Sequence, residues 1–177
     1  MEEVILVDDN DNILGRMDKL EAHRKGILHR AFSVFIFNRN NQLLMQKRAS
    51  GKYHSPGLWT NTCCSHPRSG ESVEAAAGRR LQEEMGLNCA LTRQFHFIYK
   101  ADVGQGLTEH EFDHVFFGFT DVQPVINPTE VSEWKYRSIE LIMDDVKSHP
   151  EYFTVWFRII FQRASEHLCQ IRKSSWS

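Results

Sequence analysis

The sequence predicts an α+β fold in which a mixed central sheet is flanked by helices. Three observations carry that prediction. Short apolar segments of strand length alternate along the chain with segments of helical periodicity. Turn residues join some of the strand segments as hairpins. The length, 177 residues, fits one domain with a sizeable core. We therefore expect a single domain over residues 1–170 and a loose tail over 171–177.

In chain order, residues 3–7 (E-V-I-L-V) read as a first strand and 8–12 (D-D-N-D-N) as a turn. Residues 31–37 (A-F-S-V-F-I-F) form a mostly apolar strand, and 42–47 (Q-L-L-M-Q-K) its hairpin partner across 38–41. Residues 48–71 then make a long loop holding Pro56, Gly57, Pro67 and Gly70. A loop of that length inside a compact domain is functional or disordered, and Trp59, Cys63, Cys64 and His66 favour function. Ser72 suits the N-cap of a helix over 73–85, whose Val73, Ala77, Leu81 and Met85 repeat every four residues as a buried face. Gly86 suits a left-handed stop. Residues 93–101 alternate as a strand with Phe95, Phe97 and Tyr99 on one face, and 109–119 return as its partner after a turn at 104–106. A short strand over 134–138, a helix over 139–147 ended before Pro150, and a helix over 152–168 complete the chain. Phe153, Trp156, Phe157, Ile160 and Ala164 form the apolar stripe of the last helix.

Composition narrows the function. A net charge of −2 with pI near 6.5 argues against nucleic acid as a partner. No apolar run reaches the length of a membrane span and the N-terminus lacks a signal-peptide pattern, so we expect no membrane partner and a cytoplasmic setting. The cysteines, Cys63, Cys64, Cys89 and Cys169, make no C-x-x-C pair, which disfavours a structural zinc site.

Three sets of residues bear chemistry. His23 and His29 are six apart, which matches neither a helical zinc pair nor a zinc finger; two surface histidines is the plain alternative. Glu109 and Glu111 project to one side of their strand while His110 points away; they need a cation, a raised pKa or exposure to water. His66 follows Cys64 by two residues in W-T-N-T-C-C-S-H-P. Arg80 and Glu84 share a helix face, as do Arg79 and Glu83, and two exposed ion pairs would be the plain reading of those four.

Residues 65–87 resemble the Nudix box, G-x5-E-x7-R-E-U-x-E-E-x-G-U with U a large aliphatic residue. Glu71, Arg79, Leu81, Glu83, Glu84, Gly86 and Leu87 fall in register. Ser65 stands for the first Gly and Arg80 for the Glu of R-E. That Glu is a metal ligand beside the cleaved pyrophosphate in Nudix hydrolases, so the altered box suggests diphosphate binding without hydrolysis.

With H-R-K-G-I-L-H-R-A-F-S-V-F-I-F-N, W-T-N-T-C-C-S-H-P and E-H-E added, the chain resembles the type I isopentenyl diphosphate isomerases over about residues 3–160. The resemblance implies a Nudix-type α/β/α sandwich and conversion of isopentenyl to dimethylallyl diphosphate by protonation and deprotonation. It implies a metal site of three histidines and two glutamates, matched by His23, His29, His66, Glu109 and Glu111, holding Mn2+, Zn2+ or Mg2+. It implies Cys64 and Glu111 as the acid/base pair, with Tyr99 assisting the Glu. A separate Mg2+ at Glu84 would bridge to the diphosphate, whose oxygens would meet Lys19, Arg48, Lys52, Ser65 and Arg80. Trp156 would stand over the reacting carbons. The expected partner is a small-molecule diphosphate, and the expected state a monomer or weak dimer. His23 is placed by a spacing that varies in that family, and Cys63 adds a second thiol beside Cys64.

This chemistry makes demands that the residues can meet. An unactivated alkene is a weak base, and its protonation gives a tertiary cation that water would capture. A strong acid, a base on the other side and a dry site are required. The face of Trp156 can stabilise such a cation by about 2 kcal/mol when desolvated. Three readings compete. A working Nudix hydrolase of a diphosphate metabolite is opposed by Arg80 and Ser65. An inert metal-binding module is opposed by the intact Cys64 and Tyr99. A Cys–His nucleophilic hydrolase lacks an oxyanion-hole motif.

Overall fold

The computed structural model describes residues 2–175, with side chains described through residue 171. Strands β1 (Glu3–Val7) and β2 (Ile13–Asp18) form an antiparallel pair, and helix α1 (Lys19–Lys25) follows. Strands β3 (His29–Phe37), β4 (Leu43–Arg48), β5 (Trp59–Thr60) and β6 (Cys63–Ser65) precede helix α2 (Val73–Met85). The long hairpin β7 (Leu91–Gly104) and β8 (Leu107–Phe119) leads to β9 (Val131–Arg137), helix α3 (Ile139–Ser148) and helix α4 (Val155–Ser175). The nine strands join in one mixed sheet, in which β3 pairs with β1, β4 and β6 antiparallel and with β8 parallel.

The apolar run of β3 is continuous because both of its faces are covered. Phe35 and Phe37 pack into one core with Trp156, Phe157 and Ile160 of α4. Phe32, Val34 and Ile36 pack into a second core with Ala77, Leu81 and Met85 of α2. The sheet is thus a layer between α4 and α2, the sandwich expected from the sequence. Helix α2 has the predicted bounds: Ser72 accepts a hydrogen bond from Ala75 N, and Gly86 ends it at φ 63°. A Cβ at Gly86 would stand 2.6 Å from Val125 O, so close approach as well as backbone angle demands glycine there.

Register positions the site. Strands β3 and β8 run parallel with His29 opposite Glu111, and β7 and β8 pair antiparallel with Tyr99 opposite Glu111. Because side chains alternate, Glu109, Glu111 and Asp113 share the α4 face of β8 with Val115 and Phe117. A one-residue slip would turn that whole series away.

The structure departs from the sequence reading in five places, one of them β9, which runs Val131–Arg137 where 134–138 was expected. Strand β2 and helix α1 occupy residues left unassigned between 13 and 28; β2 is a largely exposed edge strand, and α1 spans only seven residues, too few for a clear period. Strands β5 and β6 lie inside the long loop. The β7–β8 hairpin extends beyond its expected ends at the turn. Helix α4 begins at Val155, after a single 3-10 turn over Pro150–Tyr152, and continues through Ser175. Residues 171–175 of the expected tail are thus helical, while 176 and 177 lie outside the described residues.

Candidate active site

A cavity at the α4 side of the sheet brings together most of the residues singled out in the sequence. Lys19, Arg48, Lys52, Cys64, Ser65, His66, Arg80, Glu84, Tyr99, Glu109, Glu111 and Trp156 line it, together with Tyr53 and His54. His23 and His29 are fully buried beside its histidine and glutamate walls.

The His/Glu end is built from α1, β3, β6 and β8. Helix α1 starts at Asp18, whose side chain accepts from Glu21 N, and stops at Gly26 in the left-handed region. That short capped helix points His23 inward, where its Nδ1–H donates to Lys19 O at 2.6 Å. His29 likewise donates from Nδ1 to Ile27 O at 2.8 Å. Both Nε2 atoms are then left buried with no hydrogen-bond partner, each presenting a lone pair to the same space. His29 Nε2 is 3.6 Å from Glu111 Oε1, His66 Nε2 is 3.0 Å from that oxygen, and His23 Nε2 is 3.9 Å from Glu109 Oε1. One donor atom from each of His23, His29, His66 and Glu111 lies within 4.8 Å of the others. Burial lowers the pKa of His23 and pushes His66 down to about 4, so both rings are neutral, the state that ligates. Orphaned, neutral imidazole nitrogens around a carboxylate are the donor set of a divalent metal site.

The two carboxylates differ. Burial and the neighbouring charge of Glu111 push Glu109 well up. Burial also acts to raise Glu111, but hydrogen bonding to His29 and His66 outweighs it and holds Glu111 well down. Tyr99 Oη is 2.7 Å from both Glu109 Oε2 and Glu111 Oε2. One phenolic proton cannot serve two such contacts, so the three groups share a second proton, and Glu109 is the carboxyl placed to hold it.

The thiols separate cleanly. Pairing of β6 with β3 places Cys63 in the α2 core and Cys64 on the cavity side. Cys64 Sγ lies 3.0 Å from Asn61 Oδ1 and 3.4 Å from Ser33 Oγ, and Ser33 donates to Asp113 Oδ2 at 2.8 Å. Burial and the charge of Asp113 push the Cys64 thiol well up. Asn61 itself is fixed by donating to Val34 O and Cys63 O.

The cationic end is assembled from four elements. Arg80 Nη2 contacts Glu84 Oε1 at 2.5 Å and Glu130 Oε2 at 3.5 Å, and Arg80 Nη1 contacts Glu83 at 2.8 Å. Burial opposes the charge of Arg80, but Glu84 and its neighbours outweigh that and raise its pKa. Lys52 pairs with Glu130, and Lys19 with Glu2 at 3.2 Å. Gln46 Nε2 donates to Glu84 Oε2 at 2.8 Å, leaving that carboxylate held from two sides. Arg48 lies over the ring of Trp156 at 5.1 Å and donates to His54 O. Trp156 is buried, and its ring also meets His54 edge-on at 5.5 Å.

Several residues here escaped the sequence reading. His54 is buried, lies 3.5 Å from Glu109 Oε1, and is pushed down to about 3, chiefly by burial. Its signal was its place in the loop already marked as functional. Asp113 extends the i, i+2 series of Glu109 and Glu111, so alternation alone places it on their face. Glu130 and Glu2 are visible only as partners of Lys52, Arg80 and Lys19.

No helix among the described residues is long and apolar enough to cross a membrane. The NUDIX domain family matches residues 27–157. The chain is 55% identical over 165 residues to an isopentenyl-diphosphate Delta-isomerase of Pectobacterium atrosepticum, covering 93% of this chain and 92% of that one. It is 45% identical over 177 residues to the Aliivibrio fischeri (strain MJ11) protein of the same name, covering 96% and 98%. In three dimensions it is similar to DR0079 from Deinococcus radiodurans, with TM-score 0.78 at 20% identity over 92% of this chain and 98% of that one. A MutT NUDIX hydrolase from Burkholderia pseudomallei matches with TM-score 0.60 at 21% identity, over 76% and 96%. The chain belongs to the NUDIX domain family and, within it, to the isopentenyl-diphosphate Delta-isomerases.

Proposed function

We propose that this chain converts isopentenyl diphosphate to dimethylallyl diphosphate by adding a proton to the terminal methylene and removing one from the neighbouring CH2. One observation carries the reading: Cys64 and the Tyr99–Glu111 pair line the same cavity as Lys19, Arg48, Lys52 and Arg80. Proton-transfer groups at one end and fixed positive charge at the other suit an alkene tethered to a diphosphate. Binding energy from the non-reacting diphosphate then positions the alkene.

In this scheme Lys19, Arg48, Lys52, Ser65 and Arg80 grip the phosphate oxygens. Glu84 would hold a Mg2+, which would supply charge neutralisation for the diphosphate. His23, His29, His66, Glu109 and Glu111 would hold Mn2+, Zn2+ or Mg2+, which would supply electrostatic support to the acid. The Glu111–Tyr99 pair exchanges the proton on one side of the alkene and Cys64 the proton on the other. Trp156, buried at the α4 wall, keeps water from the tertiary cation and offers it a π face. Arg80 explains the altered box, since the helix position that carries a metal-binding Glu in a hydrolase here carries a phosphate clamp. The protein works in the cytoplasm as a monomer or weak dimer, with no nucleic-acid or membrane partner.

The experiment is incubation with isopentenyl diphosphate and Mg2+ in D2O, followed by NMR. Dimethylallyl diphosphate carrying deuterium in its methyl group is the expected product. Metal-loaded, folded protein that forms no isomer and exchanges no proton would reject the reading.

A further inference from the structure

We propose that Asn61 is a positioning residue for Cys64, and that Thr60 and Thr154 behind it tie the thiol to the first turn of α4. The inference rests on the reaction proposed above, in which Cys64 exchanges a proton with the substrate, and adds the residues that aim that thiol. Thr60, at the end of β5, and Asn61 and Thr62, which lead into β6, all bury their polar side chains. Thr62 is a staple: it accepts from Ile36 N at 2.9 Å and donates to Leu44 O at 2.6 Å, fastening the segment to β3 and β4. Asn61 differs in that one of its contacts is a reactive group, since its Oδ1 lies 3.0 Å from Cys64 Sγ.

The donors and acceptors leave one arrangement. Asn61 Nδ2 donates to Val34 O and to Cys63 O, each at 3.0 Å, so turning the amide over would set Oδ1 against two carbonyl oxygens. Oδ1 is therefore an acceptor aimed at Cys64 Sγ and at Thr60 Oγ1, which is 2.9 Å away. The Thr60 hydroxyl gives its hydrogen to Asn61 and keeps its oxygen to accept from Thr154 Oγ1 at 3.1 Å. Thr154 in turn accepts from Phe157 N at 3.3 Å and so caps α4, two residues before Trp156. Its own backbone N donates to Trp59 O at 3.0 Å. An unbroken chain thus runs from a helix N–H to the thiol, joining Thr60 and Thr154 across 94 residues of sequence.

Stability does not account for where that chain ends. Each link is a buried polar group that would be costly without its partner, yet the last partner is a thiol, a weak donor that returns little energy. What the chain supplies is position. A cysteine has one side-chain torsion to its sulfur, and the contact with Asn61 Oδ1 holds Cys64 Sγ in one rotamer. Ser33 Oγ, at 3.4 Å, is a second polar neighbour of the sulfur. Cys64 and Trp156 both line the cavity, and the chain fixes the helical turn that carries one to the segment that carries the other. Proton transfer to or from carbon is sensitive to such placement, since a displacement of about 1 Å can cost on the order of 10²-fold.

The test uses the full-length wild type, Asn61→Leu, Thr60→Val and Thr60→Ser, each supplied with Mg2+ and checked for folding by circular dichroism. Steady-state turnover of isopentenyl diphosphate gives kcat and KM. Raman difference spectra, each against the same protein carrying Cys64→Ala, give the S–H stretching band of Cys64. In Asn61→Leu we expect kcat to fall on the order of tenfold to a hundredfold, with KM within about twofold of wild type. The S–H band should move to higher frequency as the thiol loses its acceptor. Thr60→Val should show both changes to a smaller degree, and Thr60→Ser, which keeps the hydroxyl, should restore both readouts. The Thr60 pair decides the matter if Asn61→Leu does not fold. A kcat within about twofold of wild type in both folded variants, or a lowered kcat with an unmoved S–H band, would overturn the proposal. Equal losses in Thr60→Val and Thr60→Ser, or an effect in Asn61→Leu alone, would overturn the link to α4. A band that moves as expected, in a protein whose wild type forms no dimethylallyl diphosphate, would keep Asn61 as the holder of the thiol and remove the proposed reaction alone.

Discussion

The two ends of the cavity differ in what their ligating groups already meet, although Arg48 Nε and Arg80 Nε at the cationic end are also buried without partners. At the His/Glu end, buried polar atoms lack partners: His23 Nε2, His29 Nε2, His54 Nδ1 and His66 Nδ1. At the cationic end, three of the four positive groups already hold a carboxylate, Lys19 on Glu2, Lys52 on Glu130 and Arg80 on Glu84. The first end stands mostly on or beside the paired strands β3, β6 and β8, whose register holds its donors together. The second is drawn from α1, α2 and the loops after β4 and before β9, and its charges must change partners when an anion arrives. The donors are thus preorganised, whereas binding is moderated by internal competition.

The largest effects should come from the rigid end. Cys64→Ala should lower turnover by about 10²–10⁴-fold, whereas Cys63→Ala, on the other side of the sheet, should leave it nearly unchanged. Equal losses would erase the distinction between the two thiols. Glu111→Gln should be inactive to a similar degree, and retained turnover would remove Glu111 from the proton transfers.

Acid should expose the same end through stability. In metal-stripped protein, His66 titrates at about 4 and His54 at about 3, below the ordinary 6.5 of an unfolded histidine. The unfolded chain therefore takes up protons first as pH falls. The contribution of both rings is intact above pH 6.5 and is lost progressively towards pH 4 and below, on the order of 3 kcal/mol for His66 alone. Urea melts at pH 7 and 5 should show the drop, and His54→Asn should shallow it. A stability that is flat or rises on acidification would mean the rings are not held neutral.

At the cationic end the effects should be smaller and appear in KM. Arg80→Glu removes a charged hydrogen-bond donor and should raise KM by about 10–100-fold; an unchanged KM would mean that Arg80 is not a clamp. Glu130→Gln should do the reverse, lowering KM a few-fold by releasing Lys52 and Arg80, on the scale of about 1 kcal/mol for such a pair. A higher KM in Glu130→Gln would show that Glu130 aligns those cations and does not compete for them.

The contrast also marks what sequence reading reaches. Helix α2 was legible to the residue because its period, its Ser72 cap and its Gly86 stop are all local. The separation of Glu109 and Glu111 from His110 followed from strand alternation, and the burial of both carboxylates agrees. Strand β2 and helix α1 were not legible, since an exposed edge and a seven-residue helix carry almost no pattern. His54 was missed for a related reason: a single histidine in an aperiodic loop has no repeat to reveal which way it faces.

By itself, then, the sequence determined the main alternation of strands and helices, the buried faces of α2, β7 and α4, and the altered box with Arg80 in register. Those features depend on neighbours within a few residues, where backbone geometry dictates which side chains share a side. Only the tertiary structure decided that His23, His29, His66, Glu109 and Glu111 meet. That meeting depends on the parallel register of β3 against β8, which sets His29 beside Glu111 across 82 residues of chain. His54 reaches Glu109 through a loop that folds it back against Trp156. Both are long-range packing choices, settled by the burial of two cores on either side of one sheet.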